Sequence, residues 1–322
     1  MGDMGDTADL AADTENWMGR LPEALRAVPL IHLAIPGSHD SGSCTITPDA
    51  AVSPDSLPVV RRLAAVFCRL VKRCIYRWSV TQRLSVTQQL AHGIRYLDLR
   101  VSSKPEQKEL YVVHGMYGAP VSGVLEEVNS FLLQRPNEAV ILDLQHFYQM
   151  TPEHHSALLA LVVRTFGPRL CPVVRSLEEV TLSWLRARGF QVIVVYRSAA
   201  ARGDPSFWPA GSWPTPWPDT TSVPAMLAFL EDKMAARPAN CGLVTQCVLT
   251  PDVRFVLLHL WSDLQRSLAQ RCDAAILPWL RQLRPGPKGV NVVIYDFVGS
   301  ACCLARAVIS LNRPASPASP AS

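Results

Sequence analysis

Two histidines, one arginine and three carboxylates stand in this sequence where buried strands should end. His39 and Asp40 close Ile35-Pro36-Gly37-Ser38-His39-Asp40, a tight Pro-Gly turn after an apolar stretch that begins at Leu30. His114 closes Tyr111-Val112-Val113-His114-Gly115, Asp98 and Arg100 lie in Gly93-Ile94-Arg95-Tyr96-Leu97-Asp98-Leu99-Arg100, and Asp296 ends a late apolar run. Cleaving a phosphodiester through an internal hydroxyl requires a base for that proton, an acid for the leaving oxygen and a cation for the phosphate charge. Imidazoles titrate near neutrality and suit the first two roles, and a guanidinium is always charged and grips phosphate oxygens with two donors. The set reads as a phosphodiesterase centre in which His39 and His114 move protons and Arg100 faces the phosphate.

The supporting carboxylates follow from local geometry. Alternate residues of a strand share a face, so Asp98 and Arg100 should point the same way, with Asp98 holding the guanidinium. Histidines used in this way need a carboxylate on the second ring nitrogen. Because neighbouring side chains on an extended turn diverge, Asp40 is assigned to His114 and Asp296 to His39. His146 follows an apolar run and is expected as a secondary contact lining the pocket. No His-x3-His or zinc-spaced Cys/His pattern appears, so neither a metal nor another cofactor is expected.

Strands with a regular rhythm must position these groups. β-branched runs are expected at Ile31–Ile35, Arg95–Val101, Leu110–His114, Ala139–Leu144, Gln191–Tyr196, Gly242–Gln246 and Asn291–Phe297. Helical patterns lie between them at Thr81–His92, Val121–Gln134, Pro152–Phe166, Leu177–Arg188 and Val223–Arg237, with a long segment from Pro251 to Arg284 that has room for a break. Strands alternating with helices argue for a parallel sheet, and seven visible strands with one missed fit a single-domain (β/α)8 barrel better than an open sheet. In such barrels the chemistry collects at the C-terminal strand ends, where the candidates fall. No Gly-x-Gly-x-x-Gly loop supports a dinucleotide site.

Composition narrows the class further. Charged residues are 18% of 322, the net charge is +4, and nine cysteines are scattered without a Cys-x-x-Cys pair. So small an excess of positive charge mildly favours anionic lipid and makes no case for nucleic acid. Unpaired cysteines and no export signal point to reduced thiols in the cytoplasm. Residues 1–14 read as a disordered acidic tail, 15–312 as the barrel and 313–322 as a disordered Pro/Ala/Ser tail. Asp6 occupies the position where a myristoylation site wants serine or threonine, so no lipid anchor is expected. Charges interrupt every long apolar stretch, so no transmembrane segment is expected and membrane contact should be peripheral.

The stretch Val59–Trp78 stands apart. Helical spacing gathers Val60, Leu63, Phe67, Leu70, Val71, Cys74, Ile75 and Trp78 on one side and sets Arg62, Arg69, Lys72, Arg73 and Arg77 largely opposite. Such a helix can lie on an anionic membrane or be an outer barrel helix with solvated charges, and both readings stand. A second lipid-contact candidate is the loop from Phe207 to Asp219, whose Trp208, Trp213 and Trp217 can sit at an interface or pack over the barrel rim.

Together the motif islands resemble the X domain of phosphatidylinositol-specific phospholipase C, and the chain is similar to the small X-domain-only members of that family from about Trp17 to Asn312. The resemblance implies a distorted TIM barrel. It also implies that His39 is the general base on the inositol 2-hydroxyl and His114 the general acid toward the diacylglycerol oxygen, with a cyclic inositol phosphate as first product. Calcium-dependent relatives carry Glu-x-Asp at the second island and Asn after the first histidine, where this chain has Asp98, Arg100 and Asp40. An arginine cannot coordinate a cation, so the resemblance points to the metal-independent bacterial pattern with Arg100 in the metal's role. Arg197 matches a headgroup arginine. Gln145 falls where calcium-dependent members have a carboxylate and bacterial ones a lysine, and Thr245-Gln246-Cys247 lacks the Asp and Tyr that bacterial enzymes place around the inositol ring. The expected activity is a phosphoinositide phosphodiesterase working peripherally at intracellular membranes. Two rivals are a headgroup-binding scaffold with a dormant site and a phosphodiesterase for another glycerophospholipid.

Overall fold

The computed structural model describes residues 13–66, 68–300 and 304–313. Nearly all of the two expected tails, together with Phe67, Cys302 and Cys303, lies outside the described residues.

Eight strands are present: β1 (Ile35–Ser38), β2 (Tyr96–Ser103), β3 (Leu110–His114), β4 (Met116–Pro120), β5 (Val140–Tyr148), β6 (Val192–Tyr196), β7 (Val244–Gln246) and β8 (Val292–Tyr295). Six of them run parallel in the order β7-β8-β1-β2-β5-β6, as the barrel expectation requires. Alternation divides their side chains into two sets. Ile35, Tyr96, Ile141, Ile193, Val244, Val292 and Ile294 pack inside the barrel. Leu97, Leu99, Val140, Leu142, Val192, Val194 and Val293 face the helices. With apolar residues on both faces, each strand is buried on both sides, as expected for parallel strands. The barrel interior changes character along its axis, because Asp98, Asp143 and Asp296 follow the inner apolar residues toward the C-terminal strand ends.

The helices at Val121–Gln134 and Pro152–Phe166 run over the expected residues. Thr151 caps the second with its side chain on the His154 N–H, and Pro152 sits where no donor is needed. The segment from Pro251 to Arg284 does break, into Val253–Leu258 and, after a wide turn at Gln265–Ala269, Gln270–Leu280. Among the described residues no helix is long and apolar enough to cross a membrane.

Three expectations are corrected. The first strand begins at Ile35 rather than Ile31, because Leu30–His32 forms a 3-10 turn, and His39 still follows the strand directly. The run Leu110–His114 is antiparallel to β2 and continues through Gly115 into β4. Only residues 104–109 separate β2 from β3, too few for a parallel crossover.

The third correction concerns the tryptophan loop. Trp208 is 2% exposed and Trp213 is fully buried, so neither can reach a lipid surface. The stretch 208–214 stands in for a strand between β6 and β7. The Trp208 N–H donates to Val194 O (2.7 Å) and the Tyr196 N–H to Trp208 O (3.0 Å), while on the other side the Val244 N–H donates to Pro214 O (2.9 Å). Both indoles are satisfied internally, Trp208 Nε1 on Cys171 O at 3.0 Å and Trp213 Nε1 on Asn291 Oδ1 at 3.2 Å. Prolines at 209, 214 and 216 preclude a regular ladder, so indole area closes the barrel where backbone pairing cannot. Trp217 is half exposed, with Nε1 on Thr250 Oγ1. Trp213→Ala is therefore expected to lower stability by about 3–5 kcal/mol, the usual cost of a fully buried large aromatic. Urea unfolding checks this, and a loss below about 1 kcal/mol would contradict the seam-filling role.

Candidate functional site

The polar end of the barrel gathers residues from four separated segments. His39 and Asp40 leave β1, Asp98 and Arg100 lie on β2, His114 returns on β3, and Asp296 follows β8. The two imidazole centroids are 6.0 Å apart at 75°. Between them stands the Asp40 carboxylate, with Oδ2 3.1 Å from both His39 Nε2 and His114 Nε2 and Oδ1 2.7 Å from Arg100 Nε. His39 Nδ1 meets Asp296 Oδ1 at 2.8 Å, and His114 Nδ1 meets Ser79 O at 2.6 Å. Arg100 Nη2 is 3.4 Å from His39 Nε2.

Two expectations about this cluster change. Adjacent side chains at His39 and Asp40 converge rather than diverge, because Asp40 adopts the left-handed conformation (φ 41°) instead of continuing the extended turn. Asp40 therefore reaches both histidines. Asp98 does not hold the guanidinium by a direct contact; Asp40 does. Asp98 sits one pleat deeper on β2, where Oδ2 accepts the Asp40 N–H at 3.1 Å and its own N–H donates to Ser41 Oγ at 3.0 Å. Its Oδ1 is buried without a hydrogen-bond partner.

Electrostatics follow from this crowding. Burial disfavours the His39 cation, but Asp40 and Asp296 outweigh it and raise the imidazole pKa to about 9. Burial works against the Asp40 anion as well, yet Arg100, His114 and His39 hold its pKa below the ordinary carboxylate value. Asp98 goes the other way, pushed up to about 7 by burial and the neighbouring Asp40 charge. Two adjacent carboxylates with opposite shifts mean that Asp40 carries the negative charge and Asp98 retains a proton more readily.

Several supporting groups carry no signal in the sequence. Gln82 is fully buried and donates from Nε2 to His39 O and Tyr295 O, both at 3.0 Å, while its Oε1 accepts the Val298 N–H at 2.9 Å. This amide ties the turn bearing His39 to the end of β8. Thr81 adds a hydroxyl bond to His39 O at 3.0 Å. The carbonyl that orients His114 is a main-chain group, which no side-chain pattern can reveal. Gly115 has φ +69°, and a Cβ there would run into the Ser79 hydroxyl, so only glycine permits that approach.

A second buried group lies one strand over. Arg197, just beyond β6, donates from Nε to Asp143 Oδ1 (2.8 Å) and from Nη2 to Asp143 Oδ2 (2.6 Å) and Trp213 O (2.5 Å). The Tyr96 hydroxyl also donates to Asp143. Asp143 was legible only as a carboxylate inside an apolar strand; its pairing with Arg197 spans 54 residues. On β5 the register against β2 shifts by one residue, so Arg100 faces His146 and Gln145 is the extra residue of a bulge. His146 is exposed beside the cluster, its pKa lowered by partial burial and by Arg100. Gln145 is half buried, with Nε2 lacking a partner.

His39, Asp40 and Asp98 bring donor atoms within 4.8 Å of one another, the only such group among the described residues. Arg100 already sits against Asp40 and His39 Nδ1 is engaged by Asp296, so the donor set is matched by a fixed organic cation rather than left open to a metal ion. The arrangement offers one imidazole backed by a carboxylate, a second backed by a carbonyl, and a guanidinium held beside them by Asp40.

Comparisons with known proteins bear on the family and the fold. The family model for the phosphatidylinositol-specific phospholipase C X domain matches residues 76–197. PI-PLC X domain-containing protein 2 of Mus musculus is 42% identical over 300 residues, 92% of this chain and 87% of that protein. PI-PLC X domain-containing protein 3 of Homo sapiens is 38% identical over 286 residues, 88% of this chain and 89% of that one. Among solved structures, a phosphatidylinositol-specific phospholipase C from Staphylococcus aureus superposes with a TM-score of 0.66 at 15% identity, covering 95% of this chain and 99% of that one. The enzyme from Listeria monocytogenes gives 0.58 at 18% identity, with coverage of 93% and 98%. At such identities the structural likeness shows the shared distorted (β/α)8 TIM-barrel fold.

Proposed function

Because the chain belongs to the family of PI-PLC X domain-containing proteins, we propose that it is a phosphoric diester hydrolase of the phospholipase C type. Its substrate is phosphatidylinositol or a phosphoinositide at a membrane surface. The observation that carries the reading is the convergence of His39, His114 and Arg100 on one carboxylate at the polar end of the barrel.

Asp296 on Nδ1 fixes the His39 tautomer, so that once Nε2, which faces Asp40 Oδ2 in the resting site, has lost its proton it takes the proton of the inositol 2-hydroxyl. The oxygen so freed bonds to phosphorus while the bond to the glycerol oxygen breaks. His114, whose Nδ1–H is held by the Ser79 carbonyl, protonates that leaving oxygen from Nε2, where Asp40 steadies the imidazolium before transfer. Arg100 faces the non-bridging phosphate oxygens and stabilises the charge that grows on them. Opening of the cyclic product by water reverses both proton transfers. Arg197, His146 and Gln145 stand at the rim as headgroup contacts, Arg197 with its orientation set by Asp143.

The test is purified protein with a panel of phosphoinositides in EGTA, with products resolved into cyclic and open inositol phosphates. Release at a rate unchanged by EGTA is expected. A rate that collapses in chelator and returns with Ca²⁺ refutes the metal-free mechanism. No water-soluble product, with vesicle binding that survives His39→Ala, would make the chain a headgroup-binding protein.

The pH profile supplies a second check. A base must be deprotonated, so kcat/KM should rise with pH along a limb governed by the free-enzyme His39 pKa of about 9. Asp296→Asn removes an anion that favours the imidazolium, lowers that pKa and moves the limb toward acid, while reducing the maximal rate. A limb that stays in place would sink the His39–Asp296 assignment.

A further inference from the structure

His114 is held from both ends of one excursion of the chain. Between β1 and β2, the stretch singled out for its basic amphipathic spacing folds as two helices, Pro58–Val66 and Cys68–Ser79. Cys74, Ile75 and Tyr76 pack the second helix against the barrel's outer core, and its last carbonyl accepts from His114 Nδ1. The residues just before the first helix close on the same turn from the other side. Val52 pairs with Met116 in a single bridge, and the Tyr117 N–H donates to Ala51 O at 2.9 Å. Gly115 O accepts the Ser53 N–H at 3.1 Å and the Ser56 hydroxyl at 2.8 Å, while the Gly115 N–H donates to Asp55 Oδ2 at 2.7 Å. The hydroxyl of Ser53, a fully buried residue, donates to the other oxygen of the same carboxylate.

Asp55 is the charged member of this set. A carboxylate that accepts a main-chain N–H makes a bond roughly twice as strong as a neutral pair. The peptide it holds joins His114 to Gly115, whose left-handed backbone (φ +69°) turns the chain out of β3. Peptide planes are rigid, so fixing this one fixes the main chain that bears the imidazole. With that main chain placed by Asp55 and Nδ1 engaged by Ser79 O, His114 Nε2 is left facing Asp40 Oδ2 at 3.1 Å. Among the described residues the hydrogen-bond partners of Asp55 are Gly115 and Ser53, although its charge also acts on Arg100, His146 and Tyr148. We propose that Asp55 is a positioning residue for the general acid, acting through the main chain of His114 without touching substrate. The inference rests on the phosphodiesterase reading above for the role of His114 and adds a residue from outside the barrel on which that role depends.

Kinetics on two variants and two substrates test it. Asp55→Ala should lower kcat on phosphatidylinositol about 10- to 100-fold, the cost of a slightly misplaced acid, with KM within about twofold of wild type. On a substrate with a phenol leaving group most of that loss should vanish, because little protonation is needed there. Asp55→Asn keeps an acceptor for the Gly115 N–H and should keep most of the wild-type rate on both substrates. If Asp55 served instead through its charge on Arg100, the asparagine variant would be as slow as the alanine one and both would stay slow on the phenol substrate. That pattern overturns the proposal, as does wild-type kcat in folded Asp55→Ala. The ring can also be followed without turnover by heteronuclear NMR. The His114 imidazole cross-peak, assigned by its loss in His114→Ala, should move in Asp55→Ala by more than that of His39 and stay near wild type in Asp55→Asn. An unmoved His114 cross-peak in folded Asp55→Ala overturns the positioning role even where the hydrolase reading holds. The expected movements in a protein that releases no inositol phosphate support the placement of the ring and count against the hydrolase alone. Should Asp55→Ala fail to fold, Ser56→Ala removes one bond from the Gly115 carbonyl and must show the same selective loss on a smaller scale; its absence overturns the proposal.

Discussion

Replacing His39 or His114 by alanine should lower kcat on phosphatidylinositol by roughly 10²–10⁴, the scale for losing a positioned general base or acid. The two losses can be told apart chemically. A substrate whose leaving group is a phenol needs little protonation as its bond to phosphorus breaks, so His114→Ala should recover most of its rate on it. His39→Ala should not, because the attacking inositol hydroxyl is unchanged. Recovery by both variants, or by neither, would contradict the division of labour implied by Asp296 behind one ring and the Ser79 carbonyl behind the other.

The second large effect belongs to Arg100. Its Nε stands 2.7 Å from Asp40 Oδ1, and Asp40 is almost fully buried beside Asp98. Arg100→Ala removes the cation that offsets this charge, so a stability loss of about 3–5 kcal/mol is expected together with a rate loss of roughly 10²–10³. Arg100→Lys should recover much of the stability but little of the activity. One ammonium cannot take the place of Nε on Asp40 and also present a planar pair of donors to phosphate. Chemical denaturation and steady-state kinetics on the same preparations separate the two effects. A fully active lysine variant would mean that charge alone suffices and that the forked geometry has no role.

How much of this was legible in the sequence depended on whether a group announces itself through its own neighbours. His39 stood out because Pro36-Gly37 punctuates an apolar run, and the strand indeed ends beside it. The barrel's alternation of strands and helices was equally readable, since periodicity is a local property. Strand direction was readable too, because the eight residues between the expected runs Arg95–Val101 and Leu110–His114 are already fewer than a crossover needs. The tryptophan loop misled because composition cannot say whether an indole faces lipid or fills a missing strand; the neighbouring prolines were the better clue. Asp40 was assigned one partner where it has three, because the left-handed backbone that swings it back toward His39 depends on the packed turn. Nothing in the sequence joins Asp143 to Arg197 or the Ser79 carbonyl to His114, for those meetings exist only once the barrel has closed.

The helix ending at Ser79 carries Leu70 on its outer surface and, by its final carbonyl, grips the ring of His114. The direction of that imidazole is therefore set by the last turn of a helix that lies outside the barrel, and not by any side chain of the cluster itself. Any substitution that re-seats the final turn at Ser79 would swing the His114 ring without touching the ring's own strand.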